Sequence, residues 1–144
     1  MKEKIKKYTK EIIIFIILLT VSTNLLNLYK VKNITIDDSI CKDGSDIVHF
    51  WATWCPICRT ESSNIDFISK YYKVTTIAVN SEDIDKYLKQ NNLHFNYIDD
   101  NKALLAKKYN ISVFPTTITC KEKKVRFVDL GYTSTIGLFL RQWL

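Results

Sequence analysis

Cys55 and Cys58, separated by two residues, are the side chains of this chain best suited to covalent chemistry. They follow an apolar run, Ile47–Trp51, that is predicted to be a buried strand, and they precede a helix predicted to begin near Pro56. A sulfur at a helix N-terminus faces unpaired backbone N–H groups and the positive end of the helix dipole, which stabilise a thiolate. The spacing therefore predicts a redox pair in which Cys55 is the nucleophile and Cys58, one helical turn later, closes or resolves a disulfide.

Two other uses of such a pair are half of a zinc site and a structural disulfide. Structural zinc takes four ligands, usually from two pairs of this kind. The remaining sulfur and imidazole groups stand singly in the sequence, at Cys41, His49, His94 and Cys120. We therefore predict a redox pair and no metal site. Cys41 and Cys120 could either bond to each other or remain as two buried thiols, because a disulfide depends on geometry that the sequence does not contain.

Segments of alternating strand and helix character surround the pair, and they predict an α/β fold. The run 74–79 is β-branched and nearly continuous, as is typical of a central parallel strand, while 57–72 has the periodicity of a helix. The other predicted elements are a helix opened by 81–83, a strand at 95–98, a helix at 101–109, strands at 111–120 and 125–130, and a last helix with an apolar stripe of Ile136, Phe139, Leu140 and Trp143.

The net charge of +6 is concentrated at the N-terminus of the 144-residue chain. Residues 1–33 carry seven lysines against two glutamates, whereas residues 34–144 carry fourteen basic against thirteen acidic side chains. A nearly neutral domain gives no electrostatic argument for nucleic acid, so we predict no nucleic-acid partner. We assign 1–33 to a basic cytoplasmic tip, a membrane anchor and the start of a linker, and 34–144 to the folded domain. The polar stretch 30–46 is predicted to lead into the domain through a turn at Asp43 and Gly44.

An apolar stretch, Ile12–Tyr29, follows five lysines and contains 18 residues, about the minimum for crossing a bilayer. Its first part, 12–21, also has the length of the apolar core of a signal peptide, and a buried core helix is a third alternative. We predict an uncleaved signal-anchor, because no convincing cleavage site follows. The positive-inside rule then places the N-terminus in the cytoplasm and the domain on the periplasmic side of the inner membrane, where disulfides persist.

The segment Phe-Trp-Ala-Thr-Trp-Cys-Pro-Ile-Cys-Arg at 50–59, together with Val-Phe-Pro-Thr at 113–116, resembles the thioredoxin superfamily. The resemblance covers about residues 40–144 and implies a thioredoxin fold, with an inserted helix and strand at 82–98 like that of membrane-tethered bacterial members. With Gly-Tyr-Thr-Ser at 131–134, the chain looks most similar to protein disulfide oxidoreductases of the suppressor-of-copper-sensitivity D type. The expected architecture is therefore an α/β thioredoxin fold with an inserted helix and strand, preceded by the predicted N-terminal transmembrane helix.

The resemblance also implies a substrate-binding surface around the nucleophile. Pro115 is expected to be a cis-proline packed opposite Cys55, and the backbone of Phe114 can there pair with an extended substrate segment as an added strand. Trp54 and Pro56 flank the nucleophile in sequence, and exposed apolar groups at this position can bind unfolded substrate.

His49 stands six residues before Cys55, where many cytoplasmic thioredoxins carry a buried aspartate that assists proton transfer from the resolving thiol. We predict that its imidazole serves as a base or proton relay for Cys58, since imidazole titrates near neutral pH. A positively charged His49 would instead lower the thiol pKa values and make the disulfide more oxidising. The alternative without a functional role is a half-buried strand histidine bonded to a backbone carbonyl.

These features predict a thiol–disulfide oxidoreductase that needs no cofactor. The Cys55 thiolate attacks a substrate disulfide, and Cys58 then attacks Cys55 and releases the reduced substrate. The Pro-Ile dipeptide lacks the histidine found in strong oxidants, so we predict reduction of extracytoplasmic cysteine-containing proteins, such as apocytochrome c, with electrons from a membrane thiol–disulfide partner. The alternative is a metallochaperone that binds copper(I) through the same thiols, because soft thiolates select that ion.

Overall fold

The computed structural model describes residues 36–144 continuously, preceded by residues 8, 10–15 and 18. Residues 10–15 are helical and exposed. Most of the predicted anchor, 12–29, lies outside the described residues. Within the part of the chain that is described, no helix combines the length and the apolar character needed to cross a bilayer.

The chain divides into two units, Met1–Ile34 and Thr35–Leu144, and the second is built on a five-stranded mixed sheet. Its elements in chain order are a 3-10 helix (Asp38–Cys41), β1 (Ile47–Trp51), α1 (Pro56–Ile68), β2 (Val74–Val79), α2 (Ile84–Gln90), β3 (Tyr97–Asp100), α3 (Leu104–Lys108), β4 (Thr116–Lys121), β5 (Lys124–Leu130) and α4 (Thr135–Trp143). The strand order is β3-β2-β1-β4-β5. Strands β1, β2 and β3 are parallel, whereas β4 is antiparallel to both of its neighbours. This is the mixed α/β, thioredoxin-like architecture that the sequence predicted.

β1 forms the centre of the sheet, and all five of its side chains are buried. Because side chains alternate along a strand, Ile47 and Trp51 contribute to one core, and Val48 and Phe50 contribute to the other. Helices α1, α2 and α4 cover the first side, while α3 and the 3-10 helix cover the second. β1 is therefore packed on both faces of the sheet, and it gives rigid support to the segment with the two cysteines that follows Trp51.

Asp100, the last residue of β3, caps the start of α3. Its carboxylate accepts the N–H groups of Leu104, Leu105 and Ala106 over 2.7, 3.1 and 3.0 Å. Such a cap satisfies backbone donors that have no partner within the helix. The cap fixes the course of the chain just before the loop that precedes β4.

Cys41 and Cys120 form a disulfide, so the alternative of two buried thiols is not realised. The bond joins the 3-10 helix to β4 across a separation of 79 residues. Ile40 is also buried, and the part of 30–46 from the 3-10 helix onward therefore belongs to the domain rather than to a linker. The predicted turn is present, with Gly44 in the left-handed region at φ +70°.

Two predicted strands have different bounds in the structure. The strand predicted at 111–120 begins only at Thr116, because the preceding Pro115 has no N–H to offer a sheet. The strand predicted at 95–98 begins at Tyr97, which pairs with Thr76 of β2. The backbone N–H of Phe95 is instead bound by the Asp66 carboxylate, so that residue enters the core before the strand begins.

Of the apolar stripe predicted on α4, Phe139 packs against the core, but the other three residues do not form its buried face. Leu138 is the fully buried residue of the helix, whereas Ile136, Leu140 and Trp143 are exposed. Polar contacts on the Leu138 side determine this orientation, because Arg141 binds Asp129 and the Gln142 amide donates to the Asp46 carbonyl. The sequence pattern could not reveal those long-range contacts.

Candidate active site

The disulfide between Cys55 and Cys58 lies at the junction of β1 and α1. Cys55 is the N-cap of α1, and its Sγ accepts the backbone N–H of Cys58 over 3.2 Å. Pro56 takes the first helical position, where a missing N–H costs nothing. The predicted helix start and the predicted sulfur pairing are both present.

Only one of the two sulfurs is accessible. Cys55 is 5% exposed, whereas Cys58 is fully buried. The Cys58 N–H and the start of α1 face the Cys55 sulfur, and both would favour its thiolate in the reduced protein. Cys55 is therefore placed to attack a substrate, and Cys58 is placed to resolve the mixed disulfide from within the protein.

The loop before β4 packs directly against Cys55. The Phe114–Pro115 peptide bond is cis, as the resemblance implied. The Phe114 carbonyl oxygen lies 3.7 Å from Cys55 Sγ, and the Pro115 carbonyl accepts the N–H of Gly131 over 2.8 Å. Main-chain polar groups of this loop thus lie beside the nucleophile, where an extended peptide could reach them.

An aromatic rim borders the accessible sulfur. Trp54 is 55% exposed, and its Nε1 donates to the Asn80 carbonyl over 2.9 Å. Its ring meets that of Phe114 edge to face, with centroids 5.9 Å apart. Four residues that were predicted to bind substrate lie around Cys55 in the structure: Trp54, Pro56, Phe114 and Pro115. Their contact with substrate stays a prediction.

A groove of about 400 Å³ opens beside Trp54 on the side of α2. Its walls combine basic side chains, Arg59 and Lys86, with acidic ones, Glu82 and Asp83. Mixed charges suit a polar segment better than an apolar one, because each charge needs water or a partner. The groove could therefore receive the residues that flank a substrate cysteine.

His49 is fully enclosed in the sheet, so the half-buried alternative is not realised. Its Nδ1 lies 2.9 Å from the hydroxyl of Thr117 on β4. Burial lowers the pKa of His49 to about 3, and the imidazole is therefore neutral at physiological pH. A positively charged His49 is not available to stabilise a thiolate. The proton-relay role stays a prediction.

Glu61 is a buried acid that the sequence analysis did not identify. It lies one turn after Cys58 on α1 and is fully buried, and the Thr117 hydroxyl donates to its Oε1 over 3.5 Å. Burial raises the pKa of Glu61 to about 8, with a contribution from the negative charge of Asp129. A carboxyl group with this pKa can accept or return a proton near neutral pH.

The sequence did contain a signal for Glu61. Cys58, Ile65 and Ile68 form the inner stripe of α1, and position 61 falls within that stripe at helical spacing. An acidic residue in an apolar stripe either finds buried partners or changes its pKa, and both are marks of a functional site. The residues that contact Glu61, such as Thr117 on β4, lie far along the chain, so the helical stripe alone could not identify them.

Thr117 links two buried titratable groups, His49 on β1 and Glu61 on α1. The Thr117 hydroxyl lies 2.9 Å from His49 Nδ1 and 3.5 Å from Glu61 Oε1, so it contacts both titratable groups. Thr117 also pairs in register with Asp129 of β5, whose carboxylate binds the Arg141 guanidinium over 2.6 Å. Burial raises the pKa of Asp129, and Arg141 opposes that rise. One oxygen each of Glu61 and Asp129 has no hydrogen-bond partner among the described residues.

The other cysteines and histidine do not join this site. The Cys41–Cys120 disulfide lies at the opposite end of β1, where Ile47 pairs with Thr119. The His94 side chain is 67% exposed and lies 3.7 Å from Asp66. No three His, Cys, Asp or Glu side chains of the described residues are grouped as metal ligands would be.

Comparison with known proteins places this geometry in a family. A family model described as the AhpC/TSA family matches residues 20–128. The chain is 30% identical to the thioredoxin-like protein of Haemophilus influenzae, across 96% of this chain and 95% of that protein. It is 34% identical to sporulation thiol-disulfide oxidoreductase A of Bacillus subtilis, across 57% of this chain and 56% of that protein.

The fold is also similar to solved structures. The crystal structure of StoA from Bacillus subtilis superposes with a TM-score of 0.55 at 27% identity, covering 67% of this chain and 79% of that one. One Bacillus subtilis relative is named as a thiol-disulfide oxidoreductase, the activity that the Cys55–Cys58 geometry supports. The chain belongs to the AhpC/TSA family of the thioredoxin-like superfamily, and it is a protein thiol–disulfide oxidoreductase.

Proposed function

We propose that this oxidoreductase reduces cysteine-containing proteins outside the cytoplasm. The observation that carries this direction is the neutral environment of the redox pair. His49 is neutral, and the residues between the cysteines, Pro56 and Ile57, carry no charge. A strongly oxidising pair needs extra stabilisation of its reduced, thiolate form. The start of α1 supplies some of this stabilisation, and the neighbouring cation, Arg59, donates its Nε–H to the Thr53 carbonyl over 2.8 Å rather than to a sulfur.

The reaction follows from the accessibility of the two sulfurs. The Cys55 thiolate attacks a substrate disulfide, one substrate sulfur leaves as a thiolate, and a mixed disulfide remains. The Cys58 thiol then loses its proton and attacks Cys55 Sγ, which releases the second substrate sulfur. The ionised form of Glu61 could receive that proton, because Glu61 follows Cys58 by one turn of the same helix.

The substrate would bind through its backbone and through the rim. An extended segment beside Phe114 and Pro115 would bring its sulfur to Cys55, and the ring of Trp54 would cover its apolar side chains. The groove next to Trp54 would accept neighbouring polar residues. Such a surface suits partly unfolded proteins with an accessible cysteine.

The proposed location is the periplasmic side of the inner membrane, with residues 12–29 as an uncleaved anchor. The Cys41–Cys120 disulfide supports an oxidising compartment, because structural disulfides are rare where thiols are kept reduced. A reductase there needs electrons from the cytoplasm, so its partner would be a membrane thiol–disulfide protein. The residues at 50–59, 113–116 and 131–134 support the further proposal that the chain is of the suppressor-of-copper-sensitivity D type.

Equilibration of the Cys55–Cys58 pair with glutathione tests the direction. We expect a reduction potential nearer to about −270 mV, as in thioredoxin, than to about −120 mV, as in a strong oxidant. A potential at the oxidising end would contradict the proposal. Titration of the reduced protein with copper(I) tests the metallochaperone alternative, which would require tight binding without disulfide reduction.

Two further measurements test the substrate and the location. A Cys58→Ser variant should accumulate mixed disulfides with its substrates, while Cys55→Ser should accumulate none. The full chain should stay with membranes after alkaline extraction, and protease added outside the inner membrane should digest the domain. Release by alkali would exclude the anchor.

A further inference from the structure

An exposed apolar face lies near the end of β1 opposite to Cys55. It is formed by the last residues of α4 and by an aromatic residue that follows α1: Tyr71, Leu140, Trp143 and Leu144, which are 62%, 58%, 83% and 67% exposed. We call these four residues the α4 face. Phe139 lies half-buried beside it, with its ring 5.7 Å from that of Tyr71. Exposed aromatic and leucine side chains gathered in one place indicate an interaction surface.

Two contacts establish which end of the domain carries this face. The Gln142 amide donates to the Asp46 carbonyl over 2.8 Å, immediately before β1 begins. Cys55 follows the other end of β1. The turn between β4 and β5 also lies at the α4-face end, because Thr119 pairs with Ile47, the first residue of β1.

The β4–β5 turn adds a group of basic side chains next to the α4 face. Leu144 lines a shallow groove together with Lys121, Lys124 and Arg126. Lys123 is exposed on the same turn, and Glu122 is the only acid between positions 121 and 126. We call the four basic residues the basic turn.

Two carboxylates near the basic turn, apart from that of Glu122, accept backbone N–H groups. Asp38 accepts the N–H of Val125, and Asp46 accepts the N–H of Lys73, each over 2.8 Å. Their positions are thus fixed within the domain, whereas the lysine side chains of the turn extend into solvent.

The chain enters the domain at the basic turn. The continuous description begins at Ile36, and Asp38 is bonded to Val125 of β5. In the sequence, residues 30–35 separate the predicted anchor, 12–29, from the start of this continuous description. Apolar side chains, tryptophan and lysines together are what interfacial binding to anionic lipid requires.

We propose that the α4 face and the basic turn dock on the anionic surface of the bilayer that holds the chain. The apolar side chains enter the headgroup region, and the lysines and Arg126 bind lipid phosphates. Docking by this end directs Cys55 away from the lipid and toward substrates in the compartment. The inference rests on the proposed anchor, and the experiment separates the two.

The test uses the full chain in nanodiscs whose lipid acyl chains are brominated, so that they quench nearby tryptophan. Trp143 can report docking by itself, because Trp51 is buried and Trp54 lies beside Cys55. In anionic discs we expect a loss of up to about a third of the emission, the share of one tryptophan in three. Trp143→Phe should abolish the loss.

Charge variants identify the lipid contact. Lys121→Glu with Lys124→Glu should remove most of the quenching, as should zwitterionic discs. The matched control combines Lys102→Glu, just before α3, with Lys107→Glu within α3. It makes the same change of charge elsewhere on the domain and should retain the quenching.

Each other outcome overturns the proposal in a recognisable way. No quenching in a chain that remains in the discs would reject docking and leave the anchor intact. Loss of the chain from the discs would reject the anchor and docking together. Equal quenching in zwitterionic and anionic discs would reject the lipid charge contact. A dimer crosslinked through α4 would assign the face to a second copy.

Discussion

The hydroxyl of Thr117 and the carboxylate of Glu61 meet 3.5 Å apart in a buried contact that links β4 to the helix of the redox pair. Thr117 also contacts His49, so one hydroxyl connects two buried titratable groups. The imidazole is neutral, and the raised pKa of Glu61 keeps that carboxyl group largely protonated at neutral pH. The redox pair is therefore accompanied by two buried titratable groups, His49 and Glu61, that are both largely uncharged at neutral pH.

Replacement of Glu61 by Gln should slow disulfide exchange and remove its dependence on a group that titrates near pH 8. A positioned base typically contributes about 100-fold or more, and glutamine keeps the size but cannot accept the proton. Single-turnover reduction of a disulfide peptide across pH 6 to 9 measures the change. An unchanged pH profile would show that Cys58 loses its proton elsewhere.

Replacement of Asp129 by Asn should move that inflection to lower pH. The negative charge of Asp129 raises the pKa of Glu61, and asparagine removes the charge with little change in shape. The same pH series measures the shift. As a control, Asp85→Asn removes a carboxylate from α2 and should leave the inflection in place.

The stability of the domain should be greatest between about pH 4.5 and 6.5. Glu61 ionises at its ordinary pKa of 4.5 in the unfolded chain but at about 8 in the fold. It therefore lowers the stability of the fold as pH rises from 4.5 to 8. His49 becomes protonated at 6.5 in the unfolded chain but only at about 3 in the fold, so it lowers stability as pH falls from 6.5 to 3.

The two slopes are each about 1.4 kcal/mol per pH unit and oppose one another where they overlap. Urea unfolding of the oxidised domain across this range measures them. Glu61→Gln should abolish the decline above pH 6.5, and His49→Asn should reduce the decline below pH 4.5. A wild-type stability that keeps rising to pH 8 would contradict the burial of Glu61.

Removal of the Cys41–Cys120 disulfide should destabilise the domain without abolishing its disulfide-exchange activity. The bond closes a loop across 79 residues, and loss of such a link typically costs about 2 to 5 kcal/mol. Because this disulfide lies at the far end of β1, the Cys41→Ala and Cys120→Ala double variant should exchange disulfides at a nearly wild-type rate below its melting temperature. Urea unfolding and peptide reduction, measured in parallel, separate the two effects.

Replacement of Trp54 by Ala should weaken substrate binding more than it weakens folding. The side chain is 55% exposed and borders Cys55, so its loss removes contact area for substrate but little of the core. We expect KM for an unfolded disulfide substrate to rise about tenfold, equivalent to ~1.4 kcal/mol, with a much smaller change in kcat. Trp143→Ala is the matched control, and an equal rise in that variant would exclude a specific role for Trp54.

The redox pair could be recognised from the sequence because its chemistry depends on neighbours close in the chain. Cys55, Pro56 and Cys58 lie within one helical turn, and the strand before them ends at the predicted residue. Local spacing decides where a helix begins and which side chains share its face. The two motifs that resemble thioredoxins also predicted that Pro115 is a cis-proline near Cys55.

Contacts across the sheet were decided only by the tertiary structure. His49 and Thr117 are 68 positions apart, Thr117 and Glu61 are 56 apart, and Cys41 and Cys120 are 79 apart. Whether such groups meet depends on strand order and register, which periodicity does not encode. The sequence by itself thus determined the nucleophile, its partner and the helix that activates it. The fold alone decided that a neutral histidine and a protonatable glutamate lie beneath them, because burial is a property of the packed chain.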